Sequence, residues 1–235
     1  MVLDKGLGLE TAESLMDISG EYVDYLKFGW GTSIVHEQDI IKAKVGMYKA
    51  HDITPYTGGT LFELALMQDR LDDFFAEAHE LGFPAIEISD GSTSISHDEK
   101  LECIRMAKAD GFEVLSEVGK KDPNLDKELT LDERIGYMQD ELDAGSSLVI
   151  VEAREGGKNI GIFDKSGQAK EDEIDYILDN FDGNKILWEA PNKAQQVFFI
   201  LKLGNTVNLG NISSDDITSL ETLRRGLRGD TLGKL

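Results

Sequence analysis

Leu148-Val149-Ile150-Val151-Glu152-Ala153-Arg154-Glu155 opens on four apolar residues and then turns abruptly charged. Three more stretches repeat the pattern: Ala85-Ile86-Glu87-Ile88-Ser89-Asp90, Val114-Leu115-Ser116-Glu117-Val118-Gly119-Lys120-Lys121 and Ile186-Leu187-Trp188-Glu189-Ala190-Pro191-Asn192. A strand buried on both faces reads as a nearly continuous apolar run, and a barrel of parallel strands gathers its chemistry at the strands' C-terminal ends. Charge placed repeatedly at the ends of apolar runs therefore predicts an α/β fold, a single (β/α)8 TIM barrel occupying residues 1–235 as one catalytic domain.

The bulk properties agree. The chain has 235 residues, 40% of them hydrophobic, and single barrels of this type commonly take about 200–250 residues. Strand candidates fall at Val2 to Asp4, Tyr22 to Phe28, Ile53 to Tyr56, Ala85 to Ile88, Glu113 to Val118, Leu148 to Ala153, Lys185 to Glu189 and Thr206 to Leu209. Helical periodicity lies between them, at Ile40 to Ala50, Leu61 to Leu81, Asp98 to Asp110, Leu131 to Ala144, Glu171 to Asn180, Lys193 to Lys202 and Asp215 to Leu227. Ser96 with Glu99, and Thr130 with Glu133, have the form of capping boxes. Gly82, Gly111, Gly145 and Gly204 stand where left-handed helix terminators belong.

Composition excludes several classes of function. The net charge of −21 opposes binding to a phosphate backbone, so nucleic acid is not an expected partner. No apolar stretch approaches the roughly 18 residues of a membrane span and no signal-peptide pattern opens the chain, which predicts a soluble, cytoplasmic protein. The single Cys103 excludes an intrachain disulfide or a cysteine-based zinc cluster, and His36, His51, His79 and His97 show no metal-binding spacing. Barrels that expose helix faces often assemble, which leaves a homo-oligomer open beside small-molecule substrates.

Side chains two apart on a strand share a face. Glu117 thus shares a side with Lys121, and Glu152 with Arg154. If both glutamates face the axis, carboxylates and cations share one mouth. Two readings fit such a group, a hard cation such as Mg²⁺ on oxygen ligands or a set of structural ion pairs. Lys5 and Lys27 also end strands, and Lys27 lies within Tyr25-Leu26-Lys27-Phe28-Gly29-Trp30, where an ionised lysine needs a partner or a ligand. Gly58-Gly59-Thr60, Gly156-Gly157-Lys158 and Asn208-Leu209-Gly210-Asn211 are candidate anion-binding turns. Arg224, Arg225 and Arg228 fit either a helix C-terminus, where cations complement the macrodipole, or an anion contact.

In order along the chain, Lys27-Phe28-Gly29-Trp30-Gly31-Thr32-Ser33, Gly58-Gly59-Thr60-Leu61-Phe62-Glu63, Glu87-Ile88-Ser89-Asp90-Gly91, Glu117-Val118-Gly119-Lys120-Lys121, Glu152-Ala153-Arg154-Glu155, Glu189-Ala190-Pro191-Asn192-Lys193 and Leu220-Glu221-Thr222-Leu223-Arg224-Arg225-Gly226-Leu227-Arg228 resemble the phosphosulfolactate synthase family. The resemblance departs at the start, where family members usually carry a further stretch ahead of Val2. It implies Mg²⁺-dependent addition of sulfite to phosphoenolpyruvate, giving (2R)-phospho-3-sulfolactate, the opening step of one route to coenzyme M. On that resemblance Lys121 is the general acid, with Lys120 the near alternative, and Glu117, Glu152 and Asp90 ligate magnesium or support its ligands. Glu189 orients a lysine, while Lys27, Arg154 and Lys5 bind substrate anions and Asn208 and Asn211 complete a phosphate site. Two rivals from other classes remain: a Schiff-base aldolase using Lys27 or Lys121, and a non-catalytic anion-binding barrel.

Overall fold

A computed structural model describes residues 1–153, 156–159 and 161–235. In its first half, β1 (Val2–Asp4), α1 (Leu9–Ser19), β2 (Tyr25–Phe28), α2 (Thr32–Val35), α3 (Gln38–Ala50), β3 (Thr54–Thr57), α4 (Gly59–Met67), α5 (Leu71–Leu81), β4 (Ala85–Ser89) and α6 (His97–Ala109) follow in order. The second half continues with β5 (Glu113–Val118), α7 (Pro123–Asp126), α8 (Leu131–Ala144), β6 (Leu148–Val151), α9 (Glu171–Asn180), β7 (Ile186–Glu189), α10 (Lys193–Leu203), β8 (Leu209–Gly210), β9 (Ile212–Ser213) and α11 (Ile217–Arg224).

The strands form one nine-stranded sheet in the order β8-β7-β6-β5-β4-β3-β2-β1-β9, and every adjacent pair in it is parallel. The architecture is an α/β barrel whose sheet is nearly closed. It departs from the regular eight-strand barrel where the chain returns to its start. β8 pairs with β7 and β9 pairs with β1, and between them Asn211 takes a left-handed conformation at φ 55°. The strand expected at Thr206 to Leu209 therefore lies further along and is broken, because a residue at positive φ cannot continue an extended ladder. The helix expected from Leu61 to Leu81 is likewise two helices, separated near Asp69 at φ 55°.

Alternation along the strands sorts their side chains into two cores. Met1, Tyr56, Ala85, Leu115, Ile150 and Leu187 pack together on the barrel axis. The other parity, including Phe28, Val114, Val149 and Trp188, packs outward against the helices in one larger cluster. Below the axial layer the Tyr25 hydroxyl donates to Glu113 Oε1 at 2.7 Å. The helix ends follow their sequence signals: Ser96 with Glu99 and Thr130 with Glu133 form complete capping boxes, and Gly82 closes α5 at φ 82°. Among the described residues no helix is long and apolar enough to cross a membrane.

Candidate active site

One step above the axial apolar layer, the same strand faces turn charged. Lys27, Glu87, Glu117 and Glu189 each lie two residues beyond an axial residue of their own strand (Tyr25, Ala85, Leu115, Leu187), and Glu152 lies two beyond Ile150. The sequence thus lays a ring of four glutamates and one lysine across the C-terminal mouth. Lys27 Nζ is 2.9 Å from Glu87 Oε2, 3.7 Å from Glu189 Oε1 and 3.9 Å from Glu117 Oε2. The Glu87, Glu117, Glu152 and Glu189 residues are each 1–2% exposed. A cavity of about 240 Å³ opens above them, with Trp30, Thr60, Ser92, Lys121 and Asn211 on its walls.

So many buried carboxylates disturb one another. Burial, then Glu152 and Glu87, push the Glu117 carboxyl well above its usual pKa. Burial, reinforced by neighbouring glutamates, raises both Glu152 and Glu189 to about 7. Burial works against the Lys27 ammonium, yet Glu87, Tyr56, Glu189 and Glu117 outweigh it and hold its pKa well above normal. Lys121 behaves in the same way, with Glu117 and Glu63 prevailing over burial. Both lysines are therefore protonated at neutral pH.

The donor set fits a hard cation. Oxygen atoms of Glu117, Glu152 and Glu189 all lie within 4.8 Å of one another, and Glu117 Oε1 is buried with no hydrogen-bond donor among the described residues. Carboxylate oxygens without sulfur or imidazole suit Mg²⁺ and not Zn²⁺. Glu189 keeps one oxygen fixed by the Ala153 N–H, at 2.9 Å.

The remaining residues singled out in the sequence are distributed unevenly. Lys121 enters the mouth, 3.7 Å from Glu63 Oε1, and Asn211 lines it. Lys120, just past the bend at Gly119, turns the other way, and its ammonium pairs with Asp90. Asp90 is not brought to the glutamate ring; its Oδ1 accepts from Lys100 Nζ at 2.9 Å behind the sheet. Asn208 is not at the mouth either. It precedes β8, donates to the carbonyls of Asn184 and Ile186 at 3.1 Å, and lines a larger cavity of about 900 Å³ at the opposite end of the barrel. That larger cavity does not include Glu117, Glu152 or Glu189 and is not the candidate site. Lys5 lies 5.2 Å over the Trp30 ring at the rim, and Arg154 lies outside the described residues. Arg224 braces the chain ahead of β8, its Nη2 donating to Val207 O at 2.8 Å.

Of three further contributors, Glu87 and Glu63 are given no role by the sequence patterns above, and Gly59 appears there only within a candidate anion-binding turn. Glu87 shares parity with Ala85 as Glu117 does with Leu115, so its place on the axis was available from spacing. Glu63, on α4, accepts from Ser89 Oγ at 2.7 Å and from the Ser92 N–H at 3.1 Å. No local pattern announces it, because it reaches the mouth from a helix. Gly59 opens α4 by donating its N–H to Glu87 Oε1 at 2.8 Å.

Fold and mouth together define an α/β-barrel enzyme with an oxygen-only cation site and protonated lysines beside it. Comparison with known proteins resolves the family. The model of the (2R)-phospho-3-sulfolactate synthase (ComA) family matches residues 1–230. Phosphosulfolactate synthase from Methanothermobacter thermautotrophicus is 54% identical over 235 residues, covering 100% of this chain and 91% of that protein. The Methanocaldococcus jannaschii phosphosulfolactate synthase is also 54% identical, covering 100% and 94%. The chain belongs to the phosphosulfolactate synthase family. Among solved structures, 3-hexulose-6-phosphate synthase from Salmonella typhimurium superposes with a TM-score of 0.56 at 18% identity, covering 99% of this chain and 92% of that one, a likeness of fold alone.

Proposed function

We propose that the mouth catalyses the Mg²⁺-dependent addition of sulfite to phosphoenolpyruvate, giving (2R)-phospho-3-sulfolactate. The observation that carries this reading is the family match across residues 1–230, and the site chemistry supports it. Sulfite sulfur bonds to C3, the C2–C3 π pair moves toward the carboxylate, and a proton is then added at C2. Bound Mg²⁺ supplies electrostatic stabilisation of the charge that builds on the substrate carboxylate.

Glu117, Glu152 and Glu189 would hold that cation. Lys121 delivers the proton to C2; it is charged at neutral pH and reaches the cavity from the strand end that also carries Glu117. Lys27, held by Glu87, faces the substrate's negative charge from the barrel axis. Asn211, Gly58 and Thr60 line the cavity where an anionic group would lie. Arg154 and Lys5 serve substrate anions, Lys5 from beside Trp30 at the rim. A Schiff-base aldolase reading is disfavoured because a nucleophilic lysine needs a depressed pKa, whereas both lysines are pushed upward.

The same reading treats residues 1–235 as one catalytic domain and Leu209 to Ser213 as the interrupted eighth strand of a (β/α)8 plan. It places the enzyme in the cytoplasm, acting on two small anions, and the net charge of −21 supports the exclusion of nucleic acid. The test is to mix the protein with phosphoenolpyruvate, sulfite and Mg²⁺, with and without chelator, and follow the phosphate ester by ³¹P NMR and mass. A sulfonated phosphate ester that forms only with the cation is expected. No product, or product undiminished by chelator, overturns the reading.

A further inference from the structure

Behind β4 and β5, on the side away from the mouth, lies a second charge cluster. Lys100 of α6 is 2% exposed and donates to Glu117 O at 2.6 Å and to Asp90 Oδ1 at 2.9 Å, while Glu141 Oε1 of α8 lies 2.7 Å away. Asp90 meets Lys120 on its other side, where the ammonium donates both to the Asp90 carboxylate and, at 2.9 Å, to its carbonyl. Burial alone would raise the Asp90 carboxyl's pKa, but Lys100 and Lys120 together hold it below the usual range. The ion pair is therefore present at neutral pH.

The backbone of this turn is fixed as tightly. The Lys120 N–H donates to Asp126 Oδ1 at 3.0 Å, and that oxygen also takes Arg134 Nη2 at 2.9 Å. The Lys121 N–H donates to Gly91 O at 2.9 Å. Gly119, at φ 133°, makes the bend that lets the chain turn there. Lys120 and Lys121 are neighbours just beyond β5, the Lys120 ammonium held by Asp90 and Lys121 lining the mouth.

We propose that Asp90 and Lys120 are positioning residues: their ion pair, backed by Lys100, fixes the Gly119–Lys121 turn so that the Lys121 ammonium is held in the mouth. This rests on the reading of Lys121 as the proton donor. The clamp acts on the turn from outside the barrel, and neither Asp90 nor Lys120 lines the mouth cavity.

The test compares the full-length protein with Lys120→Met, Asp90→Asn, the double variant and Lys120→Arg. Lys120 is 26% exposed at its side chain, so its loss leaves less buried charge unpaired than loss of Lys100. Each single variant should lower kcat by up to ~10²-fold, the scale of a misplaced catalytic group, while leaving the KM for phosphoenolpyruvate and the Mg²⁺ requirement near wild type. The double variant should be no worse than the poorer single one, because the two act as one unit. Lys120→Arg should recover most of kcat. Hydrogen exchange at the Lys121 amide should speed up in both single variants, a readout independent of turnover. Unchanged exchange and kcat in both overturn the proposal. A raised Mg²⁺ requirement in Asp90→Asn makes Asp90 a ligand instead, and loss confined to Lys120→Met makes Lys120 the acid. If the wild-type protein has no synthase activity, the functional reading fails, and exchange alone decides whether the clamp exists.

Discussion

The Lys27 ammonium is 2.9 Å from Glu87 Oε2 on the barrel axis, in a ring that otherwise contains only carboxylates. Lys27 is the balancing charge for a site that an added cation would balance further. Breaking a buried ion pair by removing one partner typically costs about 3–5 kcal/mol, because the other charge is left uncompensated. Lys27→Met should therefore lower the melting temperature of metal-free protein at pH 8 by on the order of 10 °C for a domain of this size. Mg²⁺ should raise the variant's melting temperature by more than it raises that of wild type. Equal melting curves for the two metal-free proteins would show that the glutamates do not depend on Lys27.

Lys121→Met should reduce kcat by about 10²–10⁴-fold, the usual contribution of a general acid, with a smaller change in the KM for phosphoenolpyruvate. Near-normal kcat in Lys121→Met would remove it from proton transfer. A loss appearing only in KM would make it a binding group.

The barrel was legible because strand burial and strand-end charge are local signals. Glu117, Glu152 and Glu189 gather on the axis through parity alone, whereas the opposite aims of Lys120 and Lys121 are set beyond the bend at Gly119, where strand alternation has ended. What the sequence could not show depended on the three-dimensional return of the chain. Asn208 reads as part of a strand-end turn, yet the last strand begins one residue later, so Asn208 caps the far end of the barrel and only Asn211 reaches the mouth. Asp90 has the spacing of a strand-end ligand, but Lys100 approaches from α6 and holds it behind the sheet. Glu63 arrives from a helix, where strand parity says nothing.

Activity should be abolished by chelation and restored by Mg²⁺, since the proposed ligands are hard oxygens. Glu117→Gln and Glu152→Gln should each raise the Mg²⁺ concentration for half activity by more than roughly tenfold, the lower end of what even supporting residues around a metal cost when changed. Unaltered metal titrations in both variants would place the cation elsewhere.

Glu152 and Glu189 titrate near 7 in the folded chain, whereas unfolded glutamates titrate near ~4.3. Between those values the folded state holds protons the unfolded state has released, so stability falls as pH rises through this window and levels off above 7. Cation binding needs the deprotonated carboxylates, which reverses the slope when Mg²⁺ is present. Metal-free protein should therefore melt lower at pH 8 than at pH 5.5, and the stabilisation by Mg²⁺ should grow over the same interval. In Glu189→Gln the metal-free slope should be shallower. A slope identical to wild type in that variant would assign the pH dependence to other groups.

Gly59 separates two expectations for one substitution. Alanine is a better helix former than glycine by about 1 kcal/mol, and Gly59 is the first residue of α4, so propensity alone predicts that Gly59→Ala is harmless or stabilising. Its surroundings predict the opposite. A Cβ there would collide with Ser89 Oγ and lie 2.7 Å from Glu87 Oε1, both of them buried on a strand and already bonded, Ser89 to Glu63 and Glu87 to the Gly59 N–H. Relieving the clash moves Glu87, and with it the anchor of Lys27. Gly46, inside α3, has open space where a Cβ would stand, with nothing within 4 Å, and serves as the control: Gly46→Ala should raise the melting temperature slightly and leave kinetics unchanged. Gly59→Ala should lower both the melting temperature and kcat/KM, the latter by roughly the 10²-fold that a displaced catalytic group costs. If Gly59→Ala instead behaves like Gly46→Ala, the close approach of α4 to Glu87 does not shape the site.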